Sequence, residues 1–243
     1  MNLYKWEMKQ MFKTKVFWFI GAAFVLLMGL FHISDFISAD TSGYELFISL
    51  CNDFSSLSLF FIGIFAGHHV TGALEERKLQ AAIMAGNSRA KVLWTKFASF
   101  MTAIAVFFVT SVGVPSVIGF AKFGTACEEG SFLRNVIVRA PLFLVAEIAA
   151  CSICFFISMI CKKPGIAVIV NMVAMLTASL VSQYLAMKDW GIFVLKYFPH
   201  GQVLVTLVDA GNRNIALSLI VCAVFAALVV AASYSRFGKE ELK

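Results

Sequence analysis

Glu147 is the one ionisable side chain well inside an otherwise uncharged apolar run, Ala140 to Cys161. A charged carboxylate at the centre of a bilayer costs roughly 2.5–3.5 kcal/mol on insertion scales, so such a group faces protein or water, or is protonated. Two chemistries fit it: a residue on a substrate, ion or proton path, and a packed, hydrogen-bonded structural carboxyl. Two other residues join it as candidate path residues. Asp53 lies in the outer half of a run that also carries Ser55, Ser56 and Ser58, and Asn171 is the main polar residue of the run from Pro164 to Met187. Cys151-Ser-Ile-Cys154 has the spacing of a redox or metal pair. It lies in an apolar run with no second pair at zinc-finger spacing, so its thiols read as small hydrophobes. His68 and His69 are adjacent, which turns them about 100° apart on a helix and makes them a poor metal pair.

The chain has no G-x-x-x-x-G-K-[ST] and no H-E-x-x-H. It is therefore not expected to cradle nucleotide phosphates by a P-loop or to act as an enzyme, and no cofactor or metal is expected on it. Any chemical energy would come from another chain.

The elements that must position these residues follow from composition. Over 243 residues, 60% are hydrophobic and only 14% charged, with a mean hydropathy of +0.85, where a soluble domain carries about 25% charged residues. The expected fold is all-α, a polytopic membrane helix bundle of six transmembrane helices with an N-terminal interfacial helix, forming one domain over residues 1–243. The net charge of +6 is assigned to topology and not to nucleic acid. Four of the six cysteines sit in or beside apolar runs; Cys51 and Cys127 remain candidates for the oxidising side.

In chain order, residues 1–15 form an amphipathic helix, with Lys5, Lys9 and Lys13 stacked on one face and Tyr4, Met8, Met11 and Phe12 on another, placing it on the membrane surface. The alternative is a basic flank that only orients the first span. Val16–Ser34 is uncharged and close to the ~20 residues that cross a ~30 Å hydrocarbon core. A second span runs from Leu46 to Gly67, where Gly63 and Gly67 form a small-xxx-small surface for packing within the subunit or across a dimer. The third is Phe97–Ala121, with a kink expected at Pro115, and the fourth is Ala140–Cys161. Pro164–Met187 and Asn214–Ser235 are the fifth and sixth. Residues 188–213 are too broken by charge, Gly and Pro to cross, and their apolar pieces predict short helices dipping into the outer leaflet. Fourteen of the 20 Lys and Arg fall on the side holding both termini, Lys78 and Lys162. Lys and Arg concentrate on the cytoplasmic side, so that side is expected to be cytoplasmic, with Asp40, Glu129 and Asp189 outside.

Residues 70–91, between the second and third spans, predict a short charged helix across the mouth of the bundle. Thr71 is expected to cap it, Glu75 and Glu76 to sit near its positive end, Leu79 and Ile83 to share one face, and Gly86-Asn87 to stop it. Ser88 is expected to cap the next helix from Arg89. The bland reading is a loop held inside by its basic residues.

This arrangement resembles the coupling segment of type-2 ATP-binding-cassette (ABC) exporter permeases, in the residues Gly72, Glu75 to Lys78, Gly86-Asn87-Ser88-Arg89 and Lys96. The N-terminal elbow helix and a broken outer segment carrying Tyr197-Phe198-Pro199 extend the resemblance over nearly the whole chain. It implies a multi-pass permease of the bacterial cytoplasmic (inner) membrane, partnered by an ABC ATPase subunit that binds ATP and Mg and by a second permease subunit, in a homo- or heterodimer. The substrate would be a peptide, drug-like molecule or ion moved outward. Glu75, Glu76 and Arg77 would meet charges on the ATPase, Leu79 and Ile83 would fill its groove, and Gly86 and Arg89 would fix the helix to the start of the third span. The other class left open is a secondary transporter or channel that uses Asp53 and Glu147 without an ATPase.

Overall fold

The computed structural model describes residues 3–37, 42–124, 132–208 and 212–239. Asp40, Cys127, Glu128, Glu129 and Lys243 lie outside them. The described residues are mostly helical, with no strand among them: α1 Leu3–Lys13, α2 Lys15–Phe31, α3 Ile33–Ile37, α4 Gly43–Ala66, a π-turn Gly67–Thr71, α5 Gly72–Glu75 and α6 Lys78–Met84 come first. They are followed by α7 Arg89–Phe108, a second π-turn Val109–Gly113, α8 Val114–Phe123, α9 Phe132–Ile160, α10 Pro164–Ala186, α11 Asp189–Leu195, α12 Pro199–Val208 and α13 Asn212–Lys239. Four helical segments are long and apolar enough to cross a membrane, or six if each of two bent pairs is one span. The chain is a polytopic membrane helix bundle.

The first bent pair is α1 with α2, at 65°. The backbone breaks at Thr14, whose hydroxyl turns back to the Gln10 carbonyl, and the Trp18 indole donates across the bend to the Phe12 carbonyl at 2.7 Å. α1 is thus an elbow, and the end of the bundle that carries it is called the elbow end here. α2 stops at Phe31, before the Ser34 expected from the apolar run, and its C-cap His32 meets carboxylates through its ring. α4 begins earlier than expected, at Gly43, on a capping box: the Ser42 hydroxyl accepts from Glu45 N–H at 3.2 Å, and the Glu45 carboxylate accepts from Ser42 N–H at 2.9 Å.

Between lipid-covered helices there is no hydrophobic drive to associate, so close packing has to hold them. Aromatic rings supply it. Phe24 of α2 stacks on Phe54 of α4 at 5.0 Å, Phe17 on Phe107 of α7 at 5.0 Å, and Phe108 on Phe143 of α9 at 5.6 Å. Small residues do the rest. A Cβ on Gly63 would stand 3.2 Å from Asn171 Cβ, and one on Gly67 would stand 2.7 Å from Val168 Cγ2. Their small-xxx-small surface therefore packs against α10 of the same chain.

Two expectations about the third and fourth spans change. Pro115 does not kink the third span by itself. Its ring would crowd the Ser111 carbonyl and it offers that oxygen no N–H, and the π-turn at Val109–Gly113 widens the helix where this mismatch falls. α9 begins at Phe132, so residues expected in an outer loop are already helical, and Pro141 sits in its early turns. Between α10 and α13 the chain forms two short helices, α11 and α12, with Pro199 opening α12.

Candidate functional site

At the elbow end the sequence folds differently from the expectation for residues 70–91. Thr71 does not cap a helix. It sits inside the π-turn that carries α4 on into α5, and its hydroxyl donates to the Ser158 carbonyl of α9 at 2.6 Å. A threonine in a buried helix finds a carbonyl in the neighbouring helix before it finds an N-terminus. The break comes six residues later at Arg77, whose φ of 55° is the left-handed region a non-glycine rarely adopts. Glu75 therefore lies at the end of one helix and not near the start of the next. Glu76 pairs with Lys78 across the turn, both largely exposed.

Leu79 also differs: at 1% exposure it packs into the core of its own chain, and Ile83 is half-buried against the same core. Leu79 therefore has no free surface to fill a partner's groove, whereas Ile83 keeps part of its surface outward. Glu75, Glu76, Arg77, Lys78, Met84 and Gly86 are among the exposed residues of the segment. Its end follows the prediction. Gly86 (φ 88°) stops α6, the Asn87 amide donates to the Ala82 carbonyl at 3.0 Å, and the Ser88 hydroxyl caps α7 by accepting from Lys91 N–H. Arg89 Nη1 donates at 3.3 Å to the Phe237 carbonyl, which ties the start of the third span to the last helix.

Beside this segment lies a cleft of about 360 Å³ lined by Glu7, Gln10, His68, His69, Glu76, Lys78 and Lys96 among others. Its floor holds a contact that spans most of the sequence: Lys96 Nζ donates to Glu7 Oε2 at 3.0 Å, with both side chains about 5% exposed or less. Glu7 is the lone acid among the lysines of α1, on the face turned away from them. His69 bonds Ser99 at 2.9 Å and stacks on Phe65, whereas His68 is exposed, so the adjacent histidines diverge as their spacing requires.

A second polar arrangement runs through the middle of the bundle. Glu147 is 1% exposed; it accepts a hydrogen bond from Ser58 of α4 and lies 3.6 Å from the Cys151 thiol one turn along α9. Its Oε2 has no hydrogen-bond partner among the described residues. Roughly 16 Å along α9, by its 1.5 Å rise per residue, Asn171 donates to the Gly63 carbonyl at 3.2 Å and to Ser158 at 2.9 Å. The Asn171 Oδ1 has no partner among the described residues either. Asn171 and Glu147 thus share the seam of α4 with α9 and α10 at different depths.

Asp53 stands apart. It pairs with His32 at 3.1 Å, and His32 also meets Asp35 at 2.8 Å, at the end of the bundle opposite the elbow. The three candidate path residues are not brought into one site. Cys51, Cys151 and Cys154 are buried free thiols, and no group of three His, Cys, Asp or Glu able to hold a metal occurs among the described residues. Sequence reading named Lys96 and Ser58 without their partners; Glu7 and Ser158 it missed. The one signal for Glu7 was an acid at odds with the basic face of its helix. Neither a protein-family model nor a curated protein matches this chain.

Proposed function

We propose that the chain is the membrane-spanning permease subunit of an ATP-driven exporter, its elbow end facing the cytoplasm and meeting a separate ATPase subunit. The observation that carries this reading is the mechanical continuity of that end. An exposed, charged turn at Glu75 to Lys78 is rooted in the core by Leu79 and fixed through Arg89 to the last helix at Phe237. The elbow helix is locked to the third span by the Glu7–Lys96 pair. A push on this turn would reach α4, α7 and α13 together, which a permease lacking its own nucleotide site requires. Docking then falls on Glu76, Arg77 and Met84, whose side chains are free to be covered. Leu79 and Ile83 hold the element rigid from behind.

The test is purification of the tagged chain from its native membranes in detergent, with Mg-ATP hydrolysis measured in the eluate at matched permease levels. Wild type should carry ATPase activity. Arg77→Glu with Met84→Asp should lose most of it, since truncating a central anchor commonly costs about 2 kcal/mol or more. Wild-type protein that carries no ATPase and moves substrate on a proton gradient alone would replace this reading with a secondary transporter. The observation favouring that second reading is the unmatched oxygen of Glu147.

A further inference from the structure

Between α9, α10, α12 and α13 lies a second cavity, an apolar groove of about 360 Å³, within the ~300–1,000 Å³ range of small-ligand sites. Ile153 of α9, Met175 and Ala178 of α10 and Phe225 of α13 wall it, and Phe198 roofs the end towards α11. Two polar side chains face it near that roof. Ser182 is 6% exposed. His200 is half-buried. From Ala174 to Leu185, both lining residues, the groove follows α10 for roughly 16 Å at 1.5 Å per residue.

Its surroundings say what covers it. Ile169, Val173, Leu176 and Leu180 make the adjoining outer face of α10 apolar and exposed, the surface that hydrocarbon covers in a bilayer. At the roofed end Tyr184, Trp190 and Tyr197 are exposed together, and such aromatic clusters sit at the headgroup level. Lys188 lies among them, its ammonium 5.8 Å from the centre of the Tyr184 ring. The groove therefore opens beside a cation at the membrane surface and runs inward between apolar walls.

We propose that this groove holds one acyl chain of an anionic phospholipid, with the phosphate at Lys188 and the ester region beside Ser182 and His200. The site is independent of whether an ATPase drives the protein. It gives the α11–α12 pair a lipid to pack on where the bundle alone leaves a gap.

The experiment uses the full-length protein in phosphatidylcholine nanodiscs containing a small fraction of phosphatidylglycerol with a diazirine in its acyl chain. After illumination, labelled peptides are mapped by mass spectrometry. Label should concentrate on the groove walls of α9, α10 and α13. Ala178→Trp, which fills the groove from a half-buried position, should cut that label about tenfold, the equivalent of withdrawing roughly two methylenes from apolar surroundings. Ala178→Ser, which leaves the space open, should keep it, and both variants should elute as wild type. Lys188→Glu should remove the preference for phosphatidylglycerol over a phosphatidylcholine analogue bearing the same diazirine. Label spread evenly over the exposed faces of α2 and α10, or unchanged by Ala178→Trp, would overturn the site. Equal labelling of wild type by the two lipids would overturn its anionic character. Chain-to-chain cross-links through the groove that exclude lipid would assign it to a second copy instead.

Discussion

Glu7 and Glu147 are both buried carboxylates, yet Glu7 meets an ammonium at 3.0 Å while Glu147 meets neutral hydroxyls and a thiol. The first is compensated in charge: an anion and a cation are withdrawn from water together, and the pair locks α1 to α7. The second is compensated only in part, with one oxygen unmatched among the described residues. A buried group whose partners are complete tends to fix structure, whereas one left short of a partner is open to a proton, an ion or a substrate. Burial alone does not separate the two roles; the inventory of partners does.

The comparison breaks most visibly at the pair. Glu7→Ala or Lys96→Ala strands an uncompensated charge and should cost about 3–5 kcal/mol, seen as early thermal unfolding of the detergent-solubilised protein. Glu7→Met together with Lys96→Met should recover most of the loss, because it removes both charges and leaves apolar volume. Single variants as stable as wild type would show that water reaches the pair. Next in size is Asn171→Ala. It removes two donors to Gly63 and Ser158 and should cost about 1–3 kcal/mol in the same melt, with no effect on Glu147 two levels away.

Glu147→Gln sharpens the comparison. The amide keeps the shape and can still accept from Ser58, so the melting temperature should stay within about 1 kcal/mol of wild type. Transport in reconstituted vesicles should change if the carboxyl is on the path. A large stability loss with normal transport per folded molecule would move Glu147 into the class of Glu7. The smallest effect belongs to Arg77→Gly, which relieves the left-handed backbone but loosens the unfolded chain, and should raise stability by at most about 1 kcal/mol.

Much of the fold was legible because the bilayer forces it: an uncharged run near span length must become a helix, and α10 starts and ends within a residue of its apolar run. The caps at Gly86 and Ser88 were readable for the same local reason. The candidate site was less so. Thr71 reads locally as a helix cap, but its donor goes to a carbonyl 87 positions away in sequence. Leu79 reads as one face of an amphipathic helix, and helical periodicity says which residues share a face without saying whether that face meets its own chain or another. The Glu7–Lys96 pair joins residues 89 apart, and nothing in either neighbourhood encodes the match. Asp53, Glu147 and Asn171 were grouped as polar residues of apolar runs, while the direction each takes from its own helix, which decides what it touches, depends on packing.

The turn at Arg77–Lys78 divides the molecule in an unusual way. Glu7–Lys96, Ser58–Glu147, Gly63–Asn171, His69–Ser99 and Thr71–Ser158 all cross it, each joining a residue before the turn to one after it. The exposed dibasic peptide there is a site for trypsin, yet cutting it severs none of these contacts. Two fragments, residues 1–77 and 78–243, made from separate reading frames should therefore find each other in the membrane and purify as one particle. The interface through which they would recognise each other is already written into the intact chain.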